Sequence, residues 1–371
     1  MLRRAALLSP ALLPAALLAW REALALPTKA LSFPRDHGSH PDLRTEWWYL
    51  TGYADVGTRD QPRLLGFQIT FFRSRIDAAQ SLNSRFAAQQ ILFAHAALTD
   101  VSAQKHLHDQ RIARAGFGIA AAAEQTTDVK LRDWTLQRNA GGAYTSRITA
   151  KDFQFDLQFI ANQPLLLQGE RGLSRKGPET KQASYYYSQP QLTATGRITH
   201  AGQQTAIKAG IAWLDHEWSE EILHPEAVGW DWIGMNLFDG SSLTAFQLRR
   251  MDGSALWAGG SFRNAISATS DTSAISATST TTIFQPTEVS FKAGEIWVSP
   301  SSAGRYPIQW QVATIRGTFT VRTLMNAQEL DSRSSTGAVY WEGLADLLDT
   351  QGRLVGRGYL EMTGYAGRLQ I

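Results

Sequence analysis

Apolar and polar residues alternate along most of this chain, and a period of two predicts β-strands. The cleanest case sets Phe153, Phe155, Leu157 and Phe159 against Gln154, Asp156 and Gln158. Leu65, Phe67, Ile69 and Phe71 alternate with Gly66, Gln68 and Thr70 in the same way. Further strands are expected over 91–99, 129–138, 144–160, 192–199, 205–214, 287–291, 296–299, 308–315, 318–324, 338–348 and 353–363. Turn residues punctuate them at Asn139-Ala140-Gly141-Gly142, Ala201-Gly202, Asp239-Gly240 and Thr350-Gln351-Gly352. No long stretch carries a helical period, so a parallel α/β sheet is not expected. The fold class is all-β, in sandwiches or barrels.

An internal echo sets the domain organisation. Trp48 to Arg73 aligns with Trp232 to Arg250 once the first copy is allowed about five extra loop residues. Aromatic opener, strand, Asp-containing turn and Phe-Gln-aliphatic recur in order, which predicts two related halves. The first is expected over 33–184, closing in a loop at 163–184, and the second over 185–371. Within the second half, 264–282 carries AISATS twice and no aromatic residue, so it reads as an insertion outside the core.

Strand geometry sorts the candidate chemistry by face. Glu46, Trp48 and Leu50 share one face, while Trp47, Tyr49 and Thr51 share the other. Further on, His216 and Trp218 share a face opposite Asp215 and Glu217, and Asp231 points away from Trp230 and Trp232. A buried carboxylic acid keeps its proton, because desolvation raises its pKa, and can then act as an acid. Asp231 and Asp215 are the acid candidates. Trp230, Trp232, Trp48 and Tyr49 are candidates to line a ligand site, with Glu46 and His37 beside them, since aromatic faces steady a cation. The competing reading is structural. Asp215 and His216 would brace a barrel mouth, the tryptophans would plug cores, and Asp36, His37, His40 and Glu46 would brace a turn. Arg73 and Arg249-Arg250 end corresponding strands and read as solvated strand ends.

Composition narrows the class. Hydrophobic residues at 43% and charged residues at 19% indicate a globular chain. Residues 1–25 have a signal-peptide pattern: Arg3 and Arg4, an apolar run from Ala5 to Trp20, then Ala23-Leu24-Ala25. The apolar run is too short, and too interrupted by Pro10 and Pro14, for a membrane span. Cleavage would remove Arg3, Arg4, Arg21 and Glu22. Lys plus Arg then falls from 36 to 33 and Asp plus Glu from 33 to 32, so the net charge of +3 becomes +1. Nucleic acid is therefore not an expected partner. A periplasmic or secreted location follows, with no transmembrane segment after cleavage. The chain contains no Cys, so disulfides and thiolate metal sites are excluded.

His37-x-x-His40 and His106-x-His108 raise the question of a metal, but no His-Glu-x-x-His occurs and none is expected. No Gly-x-Ser-x-Gly elbow or phosphate-binding glycine loop is present, and no cofactor is expected.

Several segments together resemble the AttH-like, carotenoid 1,2-hydratase-like family of two-domain lipocalin-related proteins. They are DHGSHPDLRTEWWYLTG (36–52), GFQITFFR (66–73), YYYSQPQL (185–192), AWLDHEWS (212–219), GWDWIGMNL (229–237), FQLRR (246–250) and YWEG…GYLEMTGY (340–365). The resemblance implies two consecutive lipocalin-like β-barrels that bind an apolar ligand. One branch adds water to acyclic carotenoids, some exported members accompany an ABC-type exporter, and fungal relatives act as pericyclases. The His-x-Trp pair of the hydratase branch falls on His216 and Trp218, which the resemblance puts forward as catalytic. The leading expectation is an exported protein that binds a polyene, isoprenoid or lipid. The alternative is a hydro-lyase that adds water to an isoprenoid C=C by acid catalysis.

Overall fold

The computed structural model describes residues 25–57, 62–221, 223–266 and 280–368. The expected leader up to residue 24, and positions 267–279 of the AISATS segment, lie outside the described residues. Among the described residues the regular elements are strands, apart from short 3-10 turns at Arg35–His37, Asp77–Ala79 and Pro286–Glu288. The strands that shape the site are numbered among themselves in chain order. They are β1 (Thr45–Asp55), β2 (Leu64–Arg75), β3 (Gln90–Asp100), β4 (Ala183–His200), β5 (Gln203–Glu221), β6 (Gly229–Leu237), β7 (Ser242–Arg249), β8 (Val339–Leu348) and β9 (Leu354–Met362).

The first sheet is antiparallel and runs Lys105–Arg114, β3, β2, β1, β5, β4, Phe153–Ile160, Tyr144–Thr149, Trp134–Arg138, Asp128–Leu131 and Ala120–Ala122. It curls into a nearly closed barrel. Across the closure the Lys151 amide donates to Asp109, and Arg111 reaches the Thr149 carbonyl. Trp48, Phe67, Phe71, Phe155, Phe159 and Leu214 fill the interior. Burying each such side chain stabilises by roughly 1.5–3 kcal/mol, which a chain without disulfides needs. The second sheet runs Thr281–Phe284, Ala255–Arg263, β7, β6, β9, β8, Gly317–Thr323, Gln309–Thr314 and Val289–Ala293. Ile233, Met235, Trp310, Trp341 and Leu360 fill it.

A third apolar cluster joins the barrels: Tyr49 and Trp213 from the first, with Trp232, Phe246, Leu344 and Tyr359 from the second. Strands at this junction are covered on both faces and lose the simple alternation, so every residue of β7 is buried. Phe153–Ile160, with one face in water, keeps it. Polar contacts tie the barrels further, from Gln191 to the Leu237 and Ser241 carbonyls and from Ser261 to Gln168. At the tightest approach, a side chain in place of Gly66 on β2 would collide with Leu344 and Tyr359.

Two expectations need correction. The first sheet continues past residue 184, because β5 pairs with β1 and β4 pairs with Phe153–Ile160. Without β5 and β4 the β1 edge would be unpaired and the barrel open. The change of sheet falls between Glu221 and Gly229. The internal echo is real as a pair of hairpins, β1–β2 and β6–β7, but its register is offset. Trp48 packs inside the first barrel whereas Trp232 faces the junction, and an odd offset reverses every face. A shift by one restores the match, with Trp47 and Trp232 outward, Glu46 and Asp231 inward.

Candidate functional site

β1 and β5 lie side by side, and alternate residues on each serve two compartments. Trp48, Leu214 and Trp218 pack inside the first barrel, with Glu46 and His216 joined beside them. Trp47, Tyr49, Asp215 and Glu217 face the second barrel.

The inward cluster is saturated with partners. Glu46 accepts from Arg73 Nε at 2.8 Å, from Ser39 Oγ at 2.9 Å and from the His40 amide at 2.9 Å. Its Oε1 also meets His40 Nδ1 at 2.8 Å and His216 Nε2 at 3.0 Å. Asp36 holds the other nitrogen of His40 at 3.0 Å, and the His40 ring stacks on Trp218 at 3.9 Å. The Tyr187 hydroxyl links His37 at 2.9 Å to His216 at 3.2 Å. Burial alone would raise the Glu46 pKa. Hydrogen bonds from His216 and His40 and the charge of Arg73 outweigh it and hold the carboxyl well below its usual range. Burial pushes His216 down to about 4 and His37 down to about 3, so both are neutral at pH 7.

His40, Glu46 and His216 also present three donor atoms within 4.8 Å of one another, which are donor types a metal uses. Arg73 pairs with Glu46 in that cluster, and His40 Nδ1 and His216 Nε2 both meet Glu46 Oε1. Through Asp36 and His40 the trio links the Arg35–His37 turn to the barrel wall.

The outward side is different. Between the barrels lies a cleft of about 330 Å³, walled by Tyr49, Phe72, Phe93, Trp230, Trp232 and Phe246. Five acids border it, Glu46, Asp215, Glu217, Glu342 and Glu361. Asp215 accepts from Ser188 at 2.6 Å, from Tyr186 at 2.7 Å and from the Trp213 indole at 2.7 Å. Burial still outweighs these bonds and pushes its carboxyl up to about 7. Glu217 is matched by Lys176 at 2.9 Å, whose ammonium sits 4.3 Å from the Phe246 ring and 4.6 Å from the Tyr186 ring.

Glu342 on β8 and Glu361 on β9 are direct cross-strand partners. Burial raises both, Glu361 to about 7 and Glu342 well above its usual range, with Glu361 adding repulsion to Glu342. On the opposite wall, His95 Nδ1 lies 2.7 Å from the Tyr340 hydroxyl and Nε2 2.9 Å from Ser335 Oγ. Burial lowers His95 to about 3.

Of the residues put forward from sequence, the structure brings Asp215, Trp230, Trp232 and Tyr49 to the cleft. Glu46 borders its end while its carboxylate serves the inward cluster. His216, Trp218, Trp48 and His37 lie behind the β1–β5 wall in that inward cluster. Asp231 lies inside the second barrel, where Arg249 Nε stands 2.8 Å from it and Gln247 and Tyr365 bond it. Arg73 and Arg249 are buried charge partners, so their reading as solvated strand ends is overturned. Arg250 alone is at the surface, beside Glu226. Sequence reasoning missed Glu342, Glu361, His95 and Lys176. A lone acid within an apolar strand, as in Tyr340-Trp341-Glu342 and Tyr359-Leu360-Glu361, was the available signal.

Two consecutive antiparallel barrels with an aromatic cleft between them define a two-domain lipocalin-like protein. The chain belongs to the AttH-like family, whose pattern it matches over residues 24–365. The crystal structure of a putative AttH from Nitrosomonas europaea is 46% identical, with a TM-score of 0.82, covering 93% of this chain and 100% of that one. Kievitone hydratase from Nectria haematococca shares the fold at 14% identity and a TM-score of 0.65, over 87% of this chain and 90% of that one. CghA does so at 12% identity and a TM-score of 0.50, over 86% and 88%. No curated protein matches the chain in sequence.

Proposed function

We propose that the cleft between the barrels receives the apolar body of a small isoprenoid- or lipid-like molecule. The observation that carries this reading is the junction itself. Aromatic side chains from both barrels enclose about 330 Å³ around a few converging polar groups, as small-molecule sites do. That volume lies near the lower end of the range for such sites, roughly 300–1,000 Å³. It suits a ligand of about drug size, or one end of a longer chain. Titration with the hydrocarbon farnesene should quench tryptophan fluorescence saturably, and Trp232→Phe should weaken the quenching. Linear, unsaturable quenching would overturn the reading.

One observation favours a second, catalytic reading. Asp215 and Glu361, both raised to about 7, hold a proton over much of the neutral range inside an aromatic enclosure. Protonation of a C=C by such an acid leaves a tertiary cation beside Trp232 and Tyr49. Water then adds to the cation and returns a proton to the carboxylate, so nothing else is consumed. The fold shared with kievitone hydratase supports this reading by analogy only. Incubation with an acyclic isoprenoid alkene should yield the alcohol, and Asp215→Asn should abolish product while keeping binding. Binding without product leaves the carrier reading standing.

The pattern of residues 1–25 supports an exported protein, periplasmic or secreted. The family resemblance supports an ABC-type exporter as its partner. Cell fractionation and co-purification with a permease test these two points.

A further inference from the structure

At the rim of the first barrel, two loops hold apolar side chains out into water. One joins β2 to β3 and carries Leu82 and Phe86; the other follows the strand Lys105–Arg114 and carries Phe117 and Ile119. Phe86 is 67% exposed and Phe117 48%, yet their rings stack on one another at 5.6 Å. Phe117 has a left-handed backbone, φ 58°, between Gly116 and Gly118, which are left-handed too. A bulky residue rarely adopts that conformation, and here it holds an aromatic ring at the surface. A β-carbon added at either glycine would meet no atom beyond its chain neighbours within 4 Å, so the tip stands clear of the barrel. The Arg114 guanidinium lies 4.3 Å from the Phe117 ring and 5.7 Å from that of Phe86, and Arg85 lies 5.7 Å from Phe117. Residues 78–99 and 110–123, which carry both loops, include Arg85, Arg111 and Arg114 and no Asp or Glu. The patch also runs on towards the cleft. Phe72, Phe93 and Ile112 are successive cross-strand partners, as are Ser74, Ile91 and Arg114, so each row lies on one face. Phe72 and Phe93 wall the cleft, Ser74 lines it, and Ile112 is exposed.

We propose that this rim is a docking surface that seats the first barrel on a bilayer carrying anionic lipid. Phe86 and Phe117, with Leu82 and Ile119, enter the boundary between headgroups and acyl chains, where apolar side chains leave water. Arg85 and Arg114, packed on those rings, donate to lipid phosphate oxygens. The lack of any acid in both loop segments removes the repulsion that a negative surface would otherwise exert on them. A stable protein partner covers about 800 Å² of complementary face on each side, whereas two protruding tips suit a surface that deforms around them. Docked this way, the row Phe72–Phe93–Ile112 leads from the bilayer to the cleft. The docking goes beyond the proposed use of the cleft and does not depend on it.

The test is flotation of the full chain with vesicles of equimolar phosphatidylcholine and phosphatidylglycerol, against vesicles of phosphatidylcholine alone. The wild type should float with the anionic vesicles and release as salt is raised. The double variant Phe86→Ser, Phe117→Ser should partition at least about tenfold less. Arg85→Gln with Arg114→Gln should bring anionic vesicles down to the level of neutral ones. The substituted side chains stand at the surface, so both double variants should unfold at the wild-type temperature. Equal partition of the wild type and either double variant traces binding to the rest of the chain, leader included, and overturns the proposal. So does a dimer that the Phe86→Ser, Phe117→Ser variant abolishes in a protein that ignores vesicles, since the patch would then join two copies. Farnesene quenching is measured separately: docking without saturable quenching sinks the cleft reading alone, and quenching without docking sinks this one.

Discussion

Glu46 and Asp215 sit on neighbouring strands, both are buried, and both accept several hydrogen bonds, yet their carboxyl pKa values move in opposite directions. Glu46 has a guanidinium at 2.8 Å and two imidazoles, and its carboxyl stays well below the usual range. Asp215 has only neutral donors, a serine, a tyrosine and an indole, and rises to about 7. Asp231 falls between them. It has one guanidinium, yet burial still leaves it above its ordinary value. Neutral hydrogen bonds do not offset the loss of water around a charge; cations and several charge-assisted bonds do. Glu46 and Asp231 each have one guanidinium, so the cation alone does not decide the outcome; Glu46 adds bonds from His216, His40, Ser39 and a backbone amide, and that fuller set brings its carboxyl below the ordinary value.

The largest expected effect breaks the braced side. Glu46→Gln removes the charge that matches Arg73 and should destabilise by about 3–5 kcal/mol, since Arg73 is left buried and unpaired. Denaturant unfolding checks this, and a loss under about 1 kcal/mol would show that Arg73 does not depend on Glu46.

A smaller effect sharpens the other side through pH. Because the folded pKa of Asp215 is raised, its contribution to stability is full below its ordinary 3.8 and is lost as pH climbs through about 7. Asp215→Asn should flatten that decline between about pH 4 and 7 and match or exceed the wild-type melting temperature at pH 8. The wild-type slope persisting in the variant would refute the assignment. Glu46 carries the reverse sign: its contribution is present above its ordinary 4.5 and is lost as pH falls through the depressed value.

The smallest effect concerns Tyr49. Among the described residues its hydroxyl makes no hydrogen bond of normal geometry, so Tyr49→Phe should change unfolding stability by less than about 0.5 kcal/mol in the ligand-free protein. A loss well above about 1 kcal/mol would mean that the hydroxyl is bonded after all.

The all-β architecture was legible because period-two strands and turn residues are local signals. So was the division of faces: Asp215 and Glu217 opposite His216 and Trp218 follows from pleat geometry alone. The one-residue error in the internal echo has the same origin. An aromatic opener aligns equally well on Trp47 or Trp48, and only the partner strand shows which one faces inward. The domain boundary failed because β4 and β5 close a barrel whose other strands come much earlier in the chain, and no local pattern encodes that pairing. Glu342 and Glu361 were passed over for a similar reason. Each looks like a stray charge until β8 pairs with β9, and their environment then depends on a barrel more than a hundred residues upstream.

Gly66 sets how closely the two barrels meet, at a point away from the residues that line the cleft. With only hydrogen on its α-carbon, it lets Leu344 and Tyr359 come in against β2. A methyl there would act as a shim between the two barrels. Gly66→Ala therefore offers a way to loosen the seam between the barrels without altering a residue that lines the cleft.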